Sequence, residues 1–159
     1  MKIHWLKLVA SILICQGAGI IGSFFTAPTV QSDWYLQLKK PGFQPPGWLF
    51  GPVWITLFLL MGIALYLVWN SSAPVEKIKI PLLMFAVNLA LNIGWSFCFF
   101  YLKNPGLAFF EIVVLWATIL LTLILFYQVN KVGTWLLVPY LAWVSFASIL
   151  NLSIWNLNK

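Results

Sequence analysis

Conventional enzyme chemistry has few places to start in this chain. His4 is the only histidine and sits at the extreme N-terminus, and the three acids, Asp33, Glu76 and Glu111, are far apart. A catalytic triad, a metal cluster or a paired-carboxylate site therefore cannot be assembled in the usual way. Cys15 and Cys98 lie in apolar runs without Cys-x-x-Cys or Cys/His spacing, so they read as free thiols packing as small hydrophobes. No P-loop or Gly-rich nucleotide turn is present. The expectation is no metal, no required cofactor and no conventional catalytic residue. What abounds instead is aromatic surface: ten Trp, five Tyr and thirteen Phe. Flat rings carrying an N–H handle suit flat, mostly apolar ligands with a few polar groups. Trp34, Trp54, Trp95 and Trp143 fall near helix ends or beside polar residues and are the candidates for such a role. Trp5, Trp69, Trp135 and Trp155 sit at span ends, where an interfacial belt explains them.

The elements that hold these rings must live in lipid. The chain has 159 residues, of which 62% are hydrophobic and 8% charged, with mean hydropathy +0.95. Soluble domains average roughly 45–50% apolar and about 25% charged residues. A chain this short has too little interior to hide the excess from water. Its net charge of +6 comes from lysines scattered singly or in pairs, with no arginine. Nucleic-acid binding needs a clustered basic face, so these lysines read as anchors at lipid headgroups.

Uncharged or nearly uncharged stretches recur at lengths that cross a bilayer, for which about 20 residues suffice. The predicted spans are 5–27, 47–69, 80–102, 106–129 and 133–156 in one membrane domain, 1–159. The first run is too long for a signal-peptide core and lacks a clear cleavage site, so it reads as a retained span. No strand alternation appears, and lipid offers backbone groups no partners, so the spans must be helices. The predicted fold is an all-α integral membrane bundle of five helices. Pro28 is expected to close the first span, and Pro139 to kink or shorten the fifth.

Three connections are short; the first is not. Residues 29–47 carry Trp34, Tyr35 and Phe43 beside Lys39, Lys40, Pro41, Pro45 and Pro46. An aromatic, proline-stiffened loop should pack on something, either as a lid on the bundle or in an interfacial belt. Five lysines on one side face four on the other, so the positive-inside rule leaves orientation open.

The third span carries two opposed patterns. Ala86, Ala90 and Gly94 recur every four residues, a spacing that lets helix backbones approach closely and favours a homodimer over packing within one chain. Asn88, Asn92 and Ser96 repeat at the same spacing two residues out of phase, about 200° around the helix. They should avoid lipid, either by hydrogen-bonding neighbouring helices or by lining a ligand cavity. Glu111 is the only acid within a span, about one turn into the fourth helix where the dipole favours it. No second in-span acid or histidine extends it into a proton relay.

Three ordered stretches carry a resemblance: Trp34-Tyr35 through Lys40-Pro41, Pro45-Pro46 and Gly51-Pro52-Val53-Trp54; Asn88-Leu89-Ala90-Leu91-Asn92-Ile93-Gly94-Trp95; and Pro139-Tyr140-Leu141-Ala142-Trp143-Val144-Ser145-Phe146-Ala147. Together they resemble the translocator protein family, also called tryptophan-rich sensory proteins or peripheral-type benzodiazepine receptors. The resemblance runs over essentially the whole chain.

It implies a five-helix, often dimeric bundle in which the first loop closes one pocket. That pocket binds porphyrins and benzodiazepine-site ligands. By position, the ligand-binding residues would be Trp34, Tyr35, Trp54, Asn92, Trp95, Trp143, Ala147 and Leu150. The implied role is a membrane receptor or sensor for tetrapyrroles; a tetrapyrrole or lipid transporter is one alternative. The other is light- and oxygen-dependent protoporphyrin degradation, which the resemblance would assign to Trp54 and Trp143. One segment departs from the family. After Asn151 the sequence Leu152-Ser153-Ile154-Trp155-Asn156-Leu157-Asn158-Lys159 lacks the Tyr-then-basic pattern associated with sterol recognition. This favours a bacterial or archaeal cell membrane over the mitochondrial outer membrane.

Overall fold

The computed structural model describes residues 3–159. It contains five helices long and apolar enough to cross a membrane. They are α1 (Trp5–Thr29), α3 (Gly47–Trp69), α4 (Val75–Ser96), α5 (Pro105–Tyr127) and α6 (Lys131–Leu157), with a short helix α2 (Asp33–Gln37) in the first loop. The chain is an all-α, multi-pass membrane protein, and no strand occurs among the described residues.

Local sequence sets the helix ends. Asn104 accepts a hydrogen bond from the Leu107 amide at 3.0 Å, with Pro105 in the first turn of α5. Asn130 does the same for the Gly133 amide at 2.9 Å at the start of α6. These side chains satisfy amides that the helix leaves without partners. Ser32 caps α2 through the Tyr35 amide. The helix α4 starts at Val75, ahead of the predicted span boundary at 80, because Glu76, Lys77 and Lys79 form an exposed polar opening turn. Pro28 is the penultimate residue of α1, while α6 continues through Pro139 without an early boundary. In lipid the alternative to a helix is unpaired backbone, and this outweighs the one hydrogen bond that a proline removes. The end of α4 passes into one π-helical turn, Phe97–Tyr101, closed by Leu102 N–H to the Phe97 carbonyl at 2.9 Å.

The helices form a ring in the order α1, α3, α6, α5, α4, with α4 returning to α1. One half of the ring is packed solid. Met61, Ala64, Val68, Phe85, Ile119, Phe126 and Leu137 there are buried to 2% exposure or less. Phe85 and Phe126 stack at 5.7 Å. Two backbones approach closely where Gly62 meets α1: a Cβ on Gly62 would lie 2.8 Å from the Ile12 Cα. The two faces of α4 separate as their patterns demand. Asn88 and Asn92 are buried, whereas Ala86 and Ala90 lie on the outer surface. Gly94 departs from that outer face. It turns toward α5, 3.4 Å from Glu111 Oε1 if a Cβ were added.

Candidate ligand-binding site

The half of the ring nearest the first loop is hollow. A cavity of about 690 Å³ lies among the C-terminal halves of α1, α4 and α6 and the N-terminal half of α3. Small-molecule sites commonly span about 300–1,000 Å³, mostly apolar with a few placed polar groups. Seven of the eight residues singled out from sequence, Tyr35, Trp54, Asn92, Trp95, Trp143, Ala147 and Leu150, are on its wall. Trp34 is the exception. Its ring packs edge-on against Phe99 at 6.1 Å, while the adjacent Tyr35 faces the cavity. Adjacent residues of one short helix point in different directions, so α2 turns only one of them inward.

The two asparagines of α4 divide between the two readings of their pattern. Asn88 binds α5: its amide donates to Thr122 Oγ1, and its carbonyl accepts from Thr118 Oγ1 at 2.8 Å. That is structural glue. Asn92 donates to the Tyr140 hydroxyl at 3.1 Å and also lines the cavity. Trp95 is fixed by donation to Asn151 Oδ1 at 2.9 Å, and Asn151 in turn donates to the Pro105 carbonyl at 2.7 Å. Trp95 also stacks on Phe99 at 5.3 Å. Its ring is therefore held at both edge and face. Trp54 lies 5.6 Å from Phe58 and Trp143 lies edge-on to Phe50 at 5.8 Å.

Trp143 Nε1 differs from the other indole donors with described partners: it is buried and has no hydrogen-bond partner. A buried donor left unpaired costs about 1–3 kcal/mol. Trp143 lines the cavity with other atoms of its ring, so a small turn of the indole would bring this N–H to a ligand acceptor. Glu111 also has buried carboxylate oxygens without partners. It sits between α5 and α4, away from the cavity wall.

The first loop roofs the chamber. Tyr35 packs on Phe100 at 5.9 Å, and Phe43 packs on Phe146 at 6.3 Å. Burial raises the Tyr35 phenol above its ordinary value, and the nearby Gln44 side chain works against the rise. Asn158, beyond α6, clasps the loop backbone. It accepts from the Lys39 amide and donates to the Lys39 carbonyl, both at 2.9 Å. Sequence reasoning missed Asn158, Gln44, Phe50 and Asn151. Asn151 and Asn158 were legible only as polar residues near the end of an apolar helix.

Comparison with known proteins identifies the family. Residues 11–156 match the model of the TspO/MBR family. The chain belongs to the TspO/MBR family. It is 46% identical to the tryptophan-rich protein TspO of Archaeoglobus fulgidus over 96% of this chain and 97% of that one. It is 44% identical to the protein of the same name from Chlorobaculum tepidum over 96% of both chains. The human translocator protein is 39% identical over 79% of this chain and 75% of its own. The archaeal and bacterial relatives, at 46% and 44% identity against 39% for the human protein, favour a bacterial or archaeal cell membrane. Membership in the TspO/MBR family supports a membrane sensor or receptor role.

Proposed function

We propose that this protein is a membrane receptor that binds tetrapyrroles, and other flat hydrophobic ligands of benzodiazepine-site type, in the cavity beneath the first loop. The observation that carries the reading is the cavity wall itself. Trp54, Trp95 and Trp143 line a chamber of about 690 Å³, and the indole N–H of Trp143 is buried without a partner. Ring stacking holds a flat macrocycle, while Asn92 and the indole N–H groups of Trp54 and Trp143 orient its polar edge. The test is quenching of tryptophan fluorescence by protoporphyrin in detergent-purified protein. Trp54→Ala and Trp143→Ala should each weaken the apparent affinity; unchanged affinity in both defeats the reading.

A homodimer through the outer face of α4 belongs to the same proposal. Ala86 and Ala90 are exposed there and small enough for close helix approach. Ala90→Cys, with Cys15 and Cys98 replaced by alanine, should give a disulfide-linked dimer in membranes under mild oxidation. Failure to cross-link from this position removes that interface.

A further inference from the structure

The chamber is sealed along most of its seams, each by a nameable contact. Between α3 and α6, Phe50 and Trp143 meet at 5.8 Å, and Trp54 and Tyr140 at 6.4 Å. The α4–α6 seam is closed by the Trp95–Asn151 hydrogen bond of 2.9 Å. Between α1 and α4, Phe25 packs on Phe97 at 5.5 Å, and Gly22 lies against Ser96. Overhead, the loop is pinned by the Asn158 clasp on Lys39 and by aromatic contacts from Tyr35 and Phe43.

The upper seam between α1 and α3 differs. Ile20 and Ser23 on α1, with Gly51 and Ile55 on α3, line the cavity and also lie on the outer surface. Ile20 is 58% and Ile55 62% exposed. A Cβ added at Gly51 would meet nothing within 4 Å, whereas one at Gly62, lower on the same seam, would strike the Ile12 backbone. The helices thus touch below and part above. A single polar link crosses the floor of the gap, from Gln16 Nε2 to the Ile55 carbonyl at 3.0 Å. Both helices are apolar membrane spans, so an opening between them faces acyl chains rather than water.

We propose that this gap is a lateral portal, and that the chamber takes up molecules already dissolved in the bilayer rather than delivered from water past the first loop. The proposal rests on the binding chamber described above. It specifies the class of occupant: flat amphiphiles that partition into lipid. Ile20, Gly51 and Ile55 form the rim, the Gln16–Ile55 bond forms the sill, and the clasped loop stays shut during exchange.

The test needs no porphyrin. A thiol placed in the chamber by Ala147→Cys, with Cys15 and Cys98 replaced by alanine, is challenged in phosphatidylcholine vesicles. One reagent is a long-chain N-alkyl maleimide confined to the bilayer, the other a permanently charged methanethiosulfonate confined to water. The lipid-borne reagent should label the thiol and the charged one should not. Gly51→Leu should slow labelling by about tenfold, one decade per ~1.4 kcal/mol added to the barrier. Ile55→Trp, at an exposed rim position, serves if the leucine variant does not fold. Asn158→Ala, which frees the loop, should leave the lipid-borne rate unchanged. Preferential labelling by the charged reagent, or acceleration by Asn158→Ala with no effect of the rim variants, overturns the portal and makes the loop the door. Loss of porphyrin quenching alone would instead count against the ligand assignment and leave the portal to stand or fall on these rates.

Discussion

Among the rings around the chamber, Trp143 presents a different edge from Trp95. Trp95 spends its indole N–H on Asn151, so its contribution to a ligand is a ring face. Trp143 has a buried N–H with nothing to donate to, and a small turn of its ring lets it supply both face and donor. The two functions are separable by substitution. Trp143→Phe keeps an aromatic face and removes the donor, and the loss of one hydrogen bond of about 1–1.5 kcal/mol corresponds to roughly tenfold weaker binding of a ligand bearing an acceptor there. Trp143→Ala removes both and should bind weaker still. Titration of tryptophan quenching by protoporphyrin in the two variants gives the comparison; equal losses would mean that the N–H contributes nothing. Composition alone marked this position as aromatic, and the family resemblance placed it in the pocket. That its N–H is unpaired depends on which atoms of α3 and α6 lie nearby, and no periodicity in the sequence encodes that. Trp34 makes the same point in reverse. Its type and position matched Tyr35, yet the turn of α2 sends it onto Phe99.

At the scale of elements, apolar length marks the spans because lipid enforces helices over any stretch without charge. The same logic explains what stayed hidden. The short helix α2 is five residues long and depends on a Ser32 cap and on packing against the π turn that follows α4. The π turn at Phe97–Tyr101 lies in an aromatic run, broken only by Cys98, that carries no period of its own. The opposed faces of α4, by contrast, were legible from spacing for Asn88 and Asn92 against Ala86 and Ala90, while the drift of about 40° per four-residue step carries Gly94 off the outer face. The crossing of α1 and α3 gives an element-scale prediction. Gly62 lets the helices approach until any Cβ would sit 2.8 Å from the Ile12 Cα, a backbone atom that cannot rotate away. Gly62→Ala should therefore destabilise the bundle by about 1–3 kcal/mol, the usual cost of overpacking. A lowered thermal midpoint in detergent checks it. The open position about three turns away behaves oppositely: Gly51→Ala, with no atom within 4 Å, should not lower the midpoint and should raise it slightly through helix propensity.

The whole molecule is a ring of helices with one half filled and the other empty. Rings and aliphatics such as Phe85, Phe126, Met61 and Ile119 occupy the filled half, and the polar pair Asn88 and Thr122 ties α4 to α5 beside them. In lipid, helices gain little from hydrophobic burial against each other, so packing contacts and interhelical hydrogen bonds carry the association. A hollow half forgoes those contacts, and its walls are held mainly by bonds such as Trp95–Asn151 and by the loop clasped at Asn158. An occupant restores the missing neighbours. Binding to the folded state alone adds RT ln(1 + [L]/Kd), about 2.7 kcal/mol when free ligand is a hundredfold above Kd. Saturating protoporphyrin should therefore raise the thermal midpoint of the purified protein, and the rise should shrink in Trp143→Ala and Trp54→Ala. Gly62→Ala should lower the midpoint without changing the size of the ligand-induced rise, because it alters the filled half, remote from the cavity wall. A ligand-induced rise that survives both tryptophan substitutions intact would place the binding energy outside the chamber, most simply on the lipid-facing surface.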